Sequence, residues 1–135
     1  MSPLLEMILR FLLATGLGAA IGYQRERAGK TAGVRTHMLV SCGAALFTLV
    51  SIYGFGEGVA DVSRVAAGVV VGVGFIGGGV ILRGSREDEV HGLTTAAAIW
   101  VTAAAGLAAG AGLYLLSAIG TAVMIGVLAL PRIHR

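Results

Sequence analysis

The residues best suited to chemistry lie in one short polar segment, residues 22–37, between two long apolar runs. This segment holds four of the ten Lys and Arg residues of the chain and a single acid, Glu26. A carboxylate among arginines is expected to stay ionised and to accept a hydrogen bond from one of them. The segment is therefore either a loop ordered by salt bridges or a polar cluster that binds an ion, a lipid headgroup or a partner protein.

The last residues of this segment are predicted to begin the second helix. Arg35, Thr36 and His37 come directly before the second apolar run. We expect Thr36 to cap the exposed amides of that helix, and a helix N-terminus beside arginines suits an anion such as a lipid phosphate. His37 alone does not make a metal site, and Cys42, the only cysteine, allows neither an intrachain disulfide nor a Cys-based metal site.

A second charged segment follows the third apolar run. Arg83 comes directly after that run and complements the helix dipole there. The three adjacent acids at 87–89 are expected to be solvated, because a hard cation needs several oxygens held in place. Thr94 and Thr95 add hydroxyl groups to the fourth run. No nucleophile–base pair, phosphate-binding loop or metal motif is present, so we predict no enzyme activity and no cofactor, and metal binding stays open.

The composition of the chain shows in what kind of protein these polar residues are placed. Of the 135 residues, 56% are hydrophobic and 13% are charged, and the mean hydropathy is +0.89. A soluble domain of this size could not hide so much apolar surface, so the chain is an integral membrane protein. Its basic residues sit at the ends of apolar runs and form no basic helix, so we expect the lipid bilayer as a partner and no nucleic acid.

Five apolar runs approach the roughly 20 residues that a membrane span needs. We predict an all-α polytopic helix bundle in one domain, 1–135, with a tight turn around Gly110 and Gly112 between the last two runs. The predicted spans are 4–23, 38–55, 65–82, 93–109 and 113–130. A cytoplasmic C-terminus puts eight of the ten basic residues on the cytoplasmic side and only Arg10 and Arg64 on the other, so the N-terminus is predicted to lie outside.

Glycine is abundant, and several glycines are spaced four apart, which lets another helix approach closely. These pairs are Gly18 and Gly22, Gly68 and Gly72, Gly74 and Gly78, and Gly106 and Gly110. They predict close packing within one subunit, or alternatively a homo-oligomer.

Two further features of the predicted spans are three consecutive glycines in the third and an acid–base pair in the first. The consecutive glycines Gly77, Gly78 and Gly79 could instead break the third helix, which would suit a transport pathway together with Gly74, Thr94 and Thr95. Glu6 and Arg10, four apart on the first helix, are expected to pair and to snorkel toward the membrane interface.

The motifs carry a family resemblance. Gly22 to Arg27 followed by Lys30 to His37 resembles the G-x-x-R-E and K-x-A-G-[LV]-R-T-H signature of the MgtC/SapB membrane family. The segments 39–46, 72–81 and 92–100 fit as well, so the similarity covers most of the chain. The motif positions in this sequence are Arg25, Glu26, Lys30, Arg35, Thr36, His37, Arg83 and 92–95.

The resemblance implies a bacterial inner-membrane protein with five spans. Members are linked to growth under low magnesium and to survival inside host cells, and some are thought to restrain the F-type ATP synthase rather than to carry magnesium. Longer members have a cytoplasmic C-terminal domain. Because this chain stops at Arg135, just after the last apolar run, we expect regulation through such a domain to be missing or supplied by another chain.

These expectations lead to two hypotheses of function. The first is a non-enzymatic membrane protein that acts through helix contacts, with itself or with a larger membrane complex, and uses the cluster around Glu26 as its polar site. Its support is the motif match together with the absence of Asp, Glu, Lys and Arg from the second to fifth runs. The second is a small ion or solute transporter or channel built around the glycine-rich third helix.

Overall fold

A computed structural model describes residues 2–56, 61–83 and 89–131. This part of the chain forms five α-helices and contains no strand, which confirms the all-α five-helix architecture. The helices are α1 (Pro3–Arg27), α2 (Val34–Tyr53), α3 (Val62–Arg83), α4 (Glu89–Gly110) and α5 (Tyr114–Leu128). The first four are long and apolar enough to cross a membrane, and α5 is apolar but has only 15 residues.

Helices α1 and α2 extend further into the polar segment than their apolar runs do. α1 continues to Arg27, beyond the predicted end at residue 23, and α2 already begins at Val34, before the predicted start at residue 38. The connection is therefore short, and Gly29 supplies the left-handed backbone that reverses the chain, with a φ of 78°. As a consequence, most of the motif residues lie on helix ends and few lie in a loop.

Helix α2 is packed closely between α1 and α4, and α4 contacts all four other helices. A β-carbon at Gly18 would lie 2.5 Å from the carbonyl oxygen of His37, and one at Gly22 would lie 2.6 Å from the Cα of Val34. On the other side, Gly106 packs directly on the backbone of Ser41, and a β-carbon at Gly110 would lie 2.9 Å from the Cα of Ala45. These two glycine pairs therefore let three helices touch through their backbones, as predicted for packing within one subunit.

The same contacts define the register of the three helices. Moving from Gly106 to Gly110 along α4 moves the contact from Ser41 to Ala45 along α2, so α2 and α4 are parallel. Helix α1 runs antiparallel to α2, because its later glycine, Gly22, meets the start of α2. The hydroxyl of Ser41 donates a hydrogen bond to the carbonyl of Ala14 at 2.6 Å and so ties α2 to α1 inside the bundle.

Arg10 holds the opposite end of this bundle together. It forms a salt bridge with Glu6 at 2.6 Å, donates to the carbonyl of Gly110 at 3.1 Å, and places its guanidinium 5.6 Å from the ring centre of Tyr53. The prediction that Glu6 and Arg10 pair is confirmed, and Arg10 is buried by the protein around it. The position of the pair relative to the membrane interface stays a prediction. Arg10 is drawn inward by the carbonyl that the end of α4 leaves without a helical partner.

The turn predicted between the last two helices is present. Helix α4 ends at Gly110, and α5 begins at Tyr114. Gly112 has a φ of 90°, a conformation that favours glycine, and the Arg10 guanidinium lies against it. This turn separates α4 from α5.

Helices α3 and α5 lie at the periphery of the described bundle. Helix α3 packs against α2 and α4, and α5 packs against α1 and α4. Helix α3 is continuous through Gly77, Gly78 and Gly79, so the expected alternative of a broken third helix is wrong. An α-helix satisfies its own backbone in lipid, whereas a break would leave amides and carbonyls without partners.

Within the described parts of the chain, one of the α3 glycines named above is used for packing. A β-carbon at Gly77 would lie 3.4 Å from the β-carbon of Ala96 on α4. The other five have nothing within 4 Å of such a β-carbon. They are Gly68, Gly72, Gly74, Gly78 and Gly79. For the pairs 68/72 and 74/78, the prediction of packing within the subunit is therefore wrong in the described structure.

The glycine contacts predict an asymmetric response to one added methyl group. Gly106→Ala puts a methyl into the backbone of Ser41 and is expected to lower the free energy of unfolding by about 1–3 kcal/mol. Gly74→Ala is the matched control, and it should be neutral or stabilising by up to about 1 kcal/mol because its site is open. Unfolding by a denaturing detergent in mixed micelles measures both. Equal losses would contradict the backbone contact between α2 and α4.

Candidate functional site

The polar segment divides into a buried pair and an exposed rim. Arg25 is 1% exposed and His37 is 0% exposed, so both lie fully inside the bundle. Lys30 is half-buried, and the remaining three predicted residues are exposed. These are Glu26, Arg35 and Thr36. The structure therefore brings Arg25 and His37 together at the junction of α1 and α2 and leaves the other charged groups around it.

Glu26 caps the start of α2. Its Oε1 accepts a hydrogen bond from the backbone N–H of Val34 at 3.0 Å, and the carboxylate lies directly against Gly33. The residue that precedes the helix is Gly33, which has no side chain to cap with. The predictions that Thr36 caps this helix and that Glu26 bonds to an arginine are therefore both wrong. Thr36 lies inside the first turn, and a carboxylate at a helix N-terminus is stabilised by the helix dipole.

Arg25 is buried because it continues the inner face of α1. That face carries Ala14, Gly18, Ile21 and Gly22, and Arg25 follows at the same helical spacing. Its Nε and Nη2 atoms are shielded from solvent and have no hydrogen-bond partner. Within the described residues the one ion pair is Arg10 with Glu6, so no described carboxylate neutralises Arg25.

His37 packs against the same face of α1 that carries Arg25. A β-carbon at Gly22 would lie 3.1 Å from the His37 β-carbon, and Arg25 follows Gly22 by three residues on that buried face. The ring Nδ1 lies 2.9 Å from the carbonyl oxygen of Gly33. A carbonyl can only accept, so Nδ1 carries a proton and donates it. The other ring nitrogen, Nε2, is buried without a partner.

The contacts between α2 and α4 show which residues of α4 lie at the level of Arg25 and His37. The parallel contact of Ser41 with Gly106 and of Ala45 with Gly110 places Val34 at the level of Ile99. Thr95 lies one turn earlier on the same helix and is buried. Thr94, its neighbour, is exposed and has an interaction of its own. Of the two predicted threonines, Thr95 is therefore the one that faces the bundle at the end where Arg25 lies.

Other predicted residues lie apart or cannot be placed. Arg83 is the last residue of α3, but its side chain is outside the described residues, as are residues 84–88 and the side chain of Glu89. Gly74, Gly77, Gly78 and Gly79 belong to α3 and do not join the Arg25 junction. Within the described parts of the chain, no group of three His, Cys, Asp or Glu residues could hold a metal ion.

Sequence reasoning missed two features of the buried polar groups. The first is the burial of Arg10, whose side chain holds the ends of α1 and α4 together. Arg10 has the helical spacing of Ala14, Gly18 and Ile21, and this spacing could have placed it on the buried face of α1. The second is the separation of Arg25 from its charged neighbours. Arg25 lies seven residues after Gly18 and three after Gly22, so helical spacing carried through the charged residues would have predicted its burial.

The comparisons with known proteins identify the family of the chain. The MgtC family model matches residues 11–135, which include all five helices except the first residues of α1. The chain belongs to the MgtC family. No solved structure matches it.

Three curated relatives illustrate the similarity. "Putative magnesium transporter YhiD" of Escherichia coli is 49% identical over 129 residues, which is 91% of this chain and 59% of that protein. Protein SrpB of Synechococcus elongatus is 46% identical, covering 87% of this chain and 70% of SrpB. Protein MgtC of Brucella abortus is 42% identical, covering 86% of this chain and 47% of that protein. The chain thus spans between 47% and 70% of the length of these relatives.

The Glu26 cap gives a direct prediction. Glu26→Ala removes the acceptor for the Val34 amide and is expected to lower the free energy of unfolding by about 1 kcal/mol, the usual value of a helix cap. Glu26→Gln keeps a carbonyl acceptor at the same position and should lose less. Thr36→Ala is the matched control and should be nearly neutral. A larger loss for Thr36→Ala than for Glu26→Ala in detergent unfolding would show that the cap is assigned to the wrong residue.

Proposed function

We propose that this chain is a non-enzymatic bacterial inner-membrane protein that supports adaptation to low magnesium or host-like stress. It acts through contacts of its helices with a larger membrane complex, such as the ATP synthase, and also associates with copies of itself. Membership of the MgtC family supports the physiological setting. The predicted orientation, with the N-terminus outside and the Arg25 junction in the cytoplasmic leaflet, is part of this proposal.

The observation that carries the proposal is the contrast between the two sets of glycines. Gly18, Gly22, Gly106 and Gly110 are filled by neighbouring backbone inside the chain. The glycines of α3, in contrast, have nothing within 4 Å at five positions, the first at Gly68 and the last at Gly79. In lipid, a surface of small residues lets a second helix approach closely. Gly68, Gly72 and Gly79 lie on one side of α3 by helical spacing, and this side offers a contact surface for a helix of another chain.

The polar side chains support the same reading. Buried hydroxyls of the described helices mostly bond to nearby backbone: Ser41 to Ala14, Thr48 to Ala44 and Thr102 to Ala98. The Ser41 bond joins α2 to α1, whereas the Thr48 and Thr102 bonds stay within their own helices, so these three hydroxyls are already engaged. Proton relays and coupled cation pathways usually need ionisable groups at depth. Along the described parts of α2 to α5, the ionisable groups lie near the helix ends, apart from Cys42.

The test replaces one glycine of the open surface. Gly72→Leu should leave the stability of the purified protein nearly unchanged, because Gly72 is exposed, nothing in the described chain lies within 4 Å of a β-carbon there, and the groove beside it has room for the side chain. It should reduce recovery of the ATP synthase with this protein from native membranes in mild detergent, and it should impair growth at low magnesium. Ala122→Leu, at an exposed position of α5, is the control and should preserve both properties.

Two outcomes would contradict this function. Full recovery of the complex and full growth with Gly72→Leu would show that α3 is not the contact surface. A homo-oligomer that purifies from native membranes without any other complex would remove the proposed mode of action and favour transport instead.

Transport is the second candidate, and the name of the Escherichia coli relative, "Putative magnesium transporter YhiD", favours it. A groove of about 610 Å³ lies between α2 and α3, but its walls are apolar, as at Leu39, Phe47 and Val69. Such walls do not replace the hydration shell of a magnesium ion. Magnesium entry into proteoliposomes, followed with an enclosed indicator, tests this candidate. Entry that Gly78→Leu abolishes would support transport, whereas no entry above empty vesicles would count against it.

A further inference from the structure

Arg25 and His37 retain hydrogen-bonding atoms that the described protein does not use. Arg25 leaves Nε and Nη2 without partners, and His37 leaves Nε2 without one. Burying such groups unpaired is costly, and the cost is greatest for a charged guanidinium. Both side chains are completely buried at one helix junction, so the structure favours a ligand that would satisfy them together.

The two free atoms of Arg25 define the kind of ligand. Nε and Nη2 lie on the same edge of the guanidinium, and their N–H groups point in parallel. This edge binds two oxygens of one oxyanion in a bidentate arrangement, which is the strongest form of charge-assisted hydrogen bonding that arginine makes. A single-atom ligand would use only part of this geometry.

His37 adds a requirement that an ordinary oxyanion does not meet. Its Nδ1 donates to the carbonyl of Gly33, and the ring is neutral because a second buried positive charge beside Arg25 would be very unfavourable. Its Nε2 is therefore an acceptor. The junction offers two donors and one acceptor, so its ligand must present two oxygens that accept and one O–H that donates.

The surroundings attract negative charge. Arg27 and Lys30 closely follow Arg25 in the chain and Arg35 closely precedes His37, and the start of α2 adds the positive end of its dipole. The nearest described acid, Glu26, is already engaged with the Val34 amide. An anion that reaches this edge of the bundle therefore meets a positive field with no free described carboxylate.

We propose that Arg25 and His37 bind a phosphate group that still carries a proton, either inorganic hydrogen phosphate or the monoester headgroup of a lipid. Two phosphate oxygens accept from Nε and Nη2 of Arg25, and the P–OH group donates to Nε2 of His37. Sulfate and phosphodiester headgroups have the oxygens but lack the proton near neutral pH. This site goes beyond the proposed function and stands or falls independently of it.

The burial of Arg25 and His37 determines how fast phosphate can bind. Because Arg25 is 1% exposed and His37 is 0% exposed, phosphate reaches them only when the ends of α1, α2 and α4 separate. Binding should therefore be slow compared with diffusion, and once bound the phosphate should hold these helix ends together.

The test compares phosphate with sulfate on the purified full chain in detergent near neutral pH. Inorganic phosphate should raise the unfolding temperature in a saturable way, because it binds the folded state. Sulfate at matched ionic strength should not. Equal shifts from both salts, or no shift from phosphate, would overturn the proposal, and this comparison needs no variant.

Variants then assign the residues. Arg25→Lys keeps the positive charge but loses the pair of parallel N–H groups that binds two oxygens. It should weaken phosphate binding at least about tenfold, as expected for the loss of one charge-assisted hydrogen bond. Arg35→Lys, at an exposed arginine beside the junction, is the control and should bind as the parent does. His37→Phe should remove the preference for phosphate over sulfate. Unchanged preference in a folded His37→Phe protein would contradict the role of Nε2.

Lipid competition identifies the source of the phosphate. In nanodiscs, phosphatidic acid has a monoester headgroup with the required O–H, whereas phosphatidylglycerol has a diester. Competition of phosphatidic acid with inorganic phosphate assigns the site to a lipid headgroup, and its absence assigns the site to the free ion. Equal competition by phosphatidylglycerol would contradict the requirement for a donated proton.

Discussion

Backbone contact of α1 and α4 with α2 is the constraint on which the rest of the structure depends. A methyl group at Gly18, Gly22, Gly106 or Gly110 would collide with α2, so these helices approach more closely than any larger residue allows. In lipid, where apolar side chains gain little by leaving their solvent, such contacts carry much of the association. The hydrogen bond from Ser41 to Ala14 is available because the helices are this close.

The short distance between the backbones of α1, α2 and α4 also explains why two arginines are buried in so small a protein. At one end, Arg10 reaches the carbonyl of Gly110 because α4 lies directly beside α1 and α2. At the other end, the close contact of Gly22 with α2 carries Arg25 into the junction beside His37. The two arginines differ in one respect that matters for function. Arg10 has a carboxylate and a carbonyl as partners, whereas the inner edge of Arg25 has neither.

Much of the fold could be predicted from the sequence, because membrane spans depend on long stretches of composition. The five helices, the turn at Gly112 and the packing of Gly18, Gly22, Gly106 and Gly110 all follow from apolar runs and from spacing along one helix. Whether Gly68 and Gly74 face a neighbour could not be predicted. That depends on which side of α3 meets α4, and a helix with glycines on several sides carries no such information.

The polar site was harder to predict, because its residues are distinguished by contacts between helices. Sequence reasoning placed Glu26, Thr36 and His37 in one cluster, but the assignment of the cap depended on α2 beginning at Val34 and on Glu26 reaching across from α1. The division into a buried pair and an exposed rim likewise follows from the continuation of α1 to Arg27. Apolar runs do not reveal such a continuation, since they end where the charged residues begin.

The central claim is that α1 and α4 clasp α2 and that α3 packs on α4 through Gly77, leaving its other glycines free for a partner. Disulfide formation tests it most directly in a Cys42→Ser background reconstituted in lipid. The account predicts that Gly77→Cys with Ala96→Cys forms an intrachain disulfide, because a β-carbon at Gly77 would lie 3.4 Å from that of Ala96. Gly78→Cys with Ala96→Cys should not. Efficient cross-linking of the Gly78 pair and none of the Gly77 pair would contradict the account.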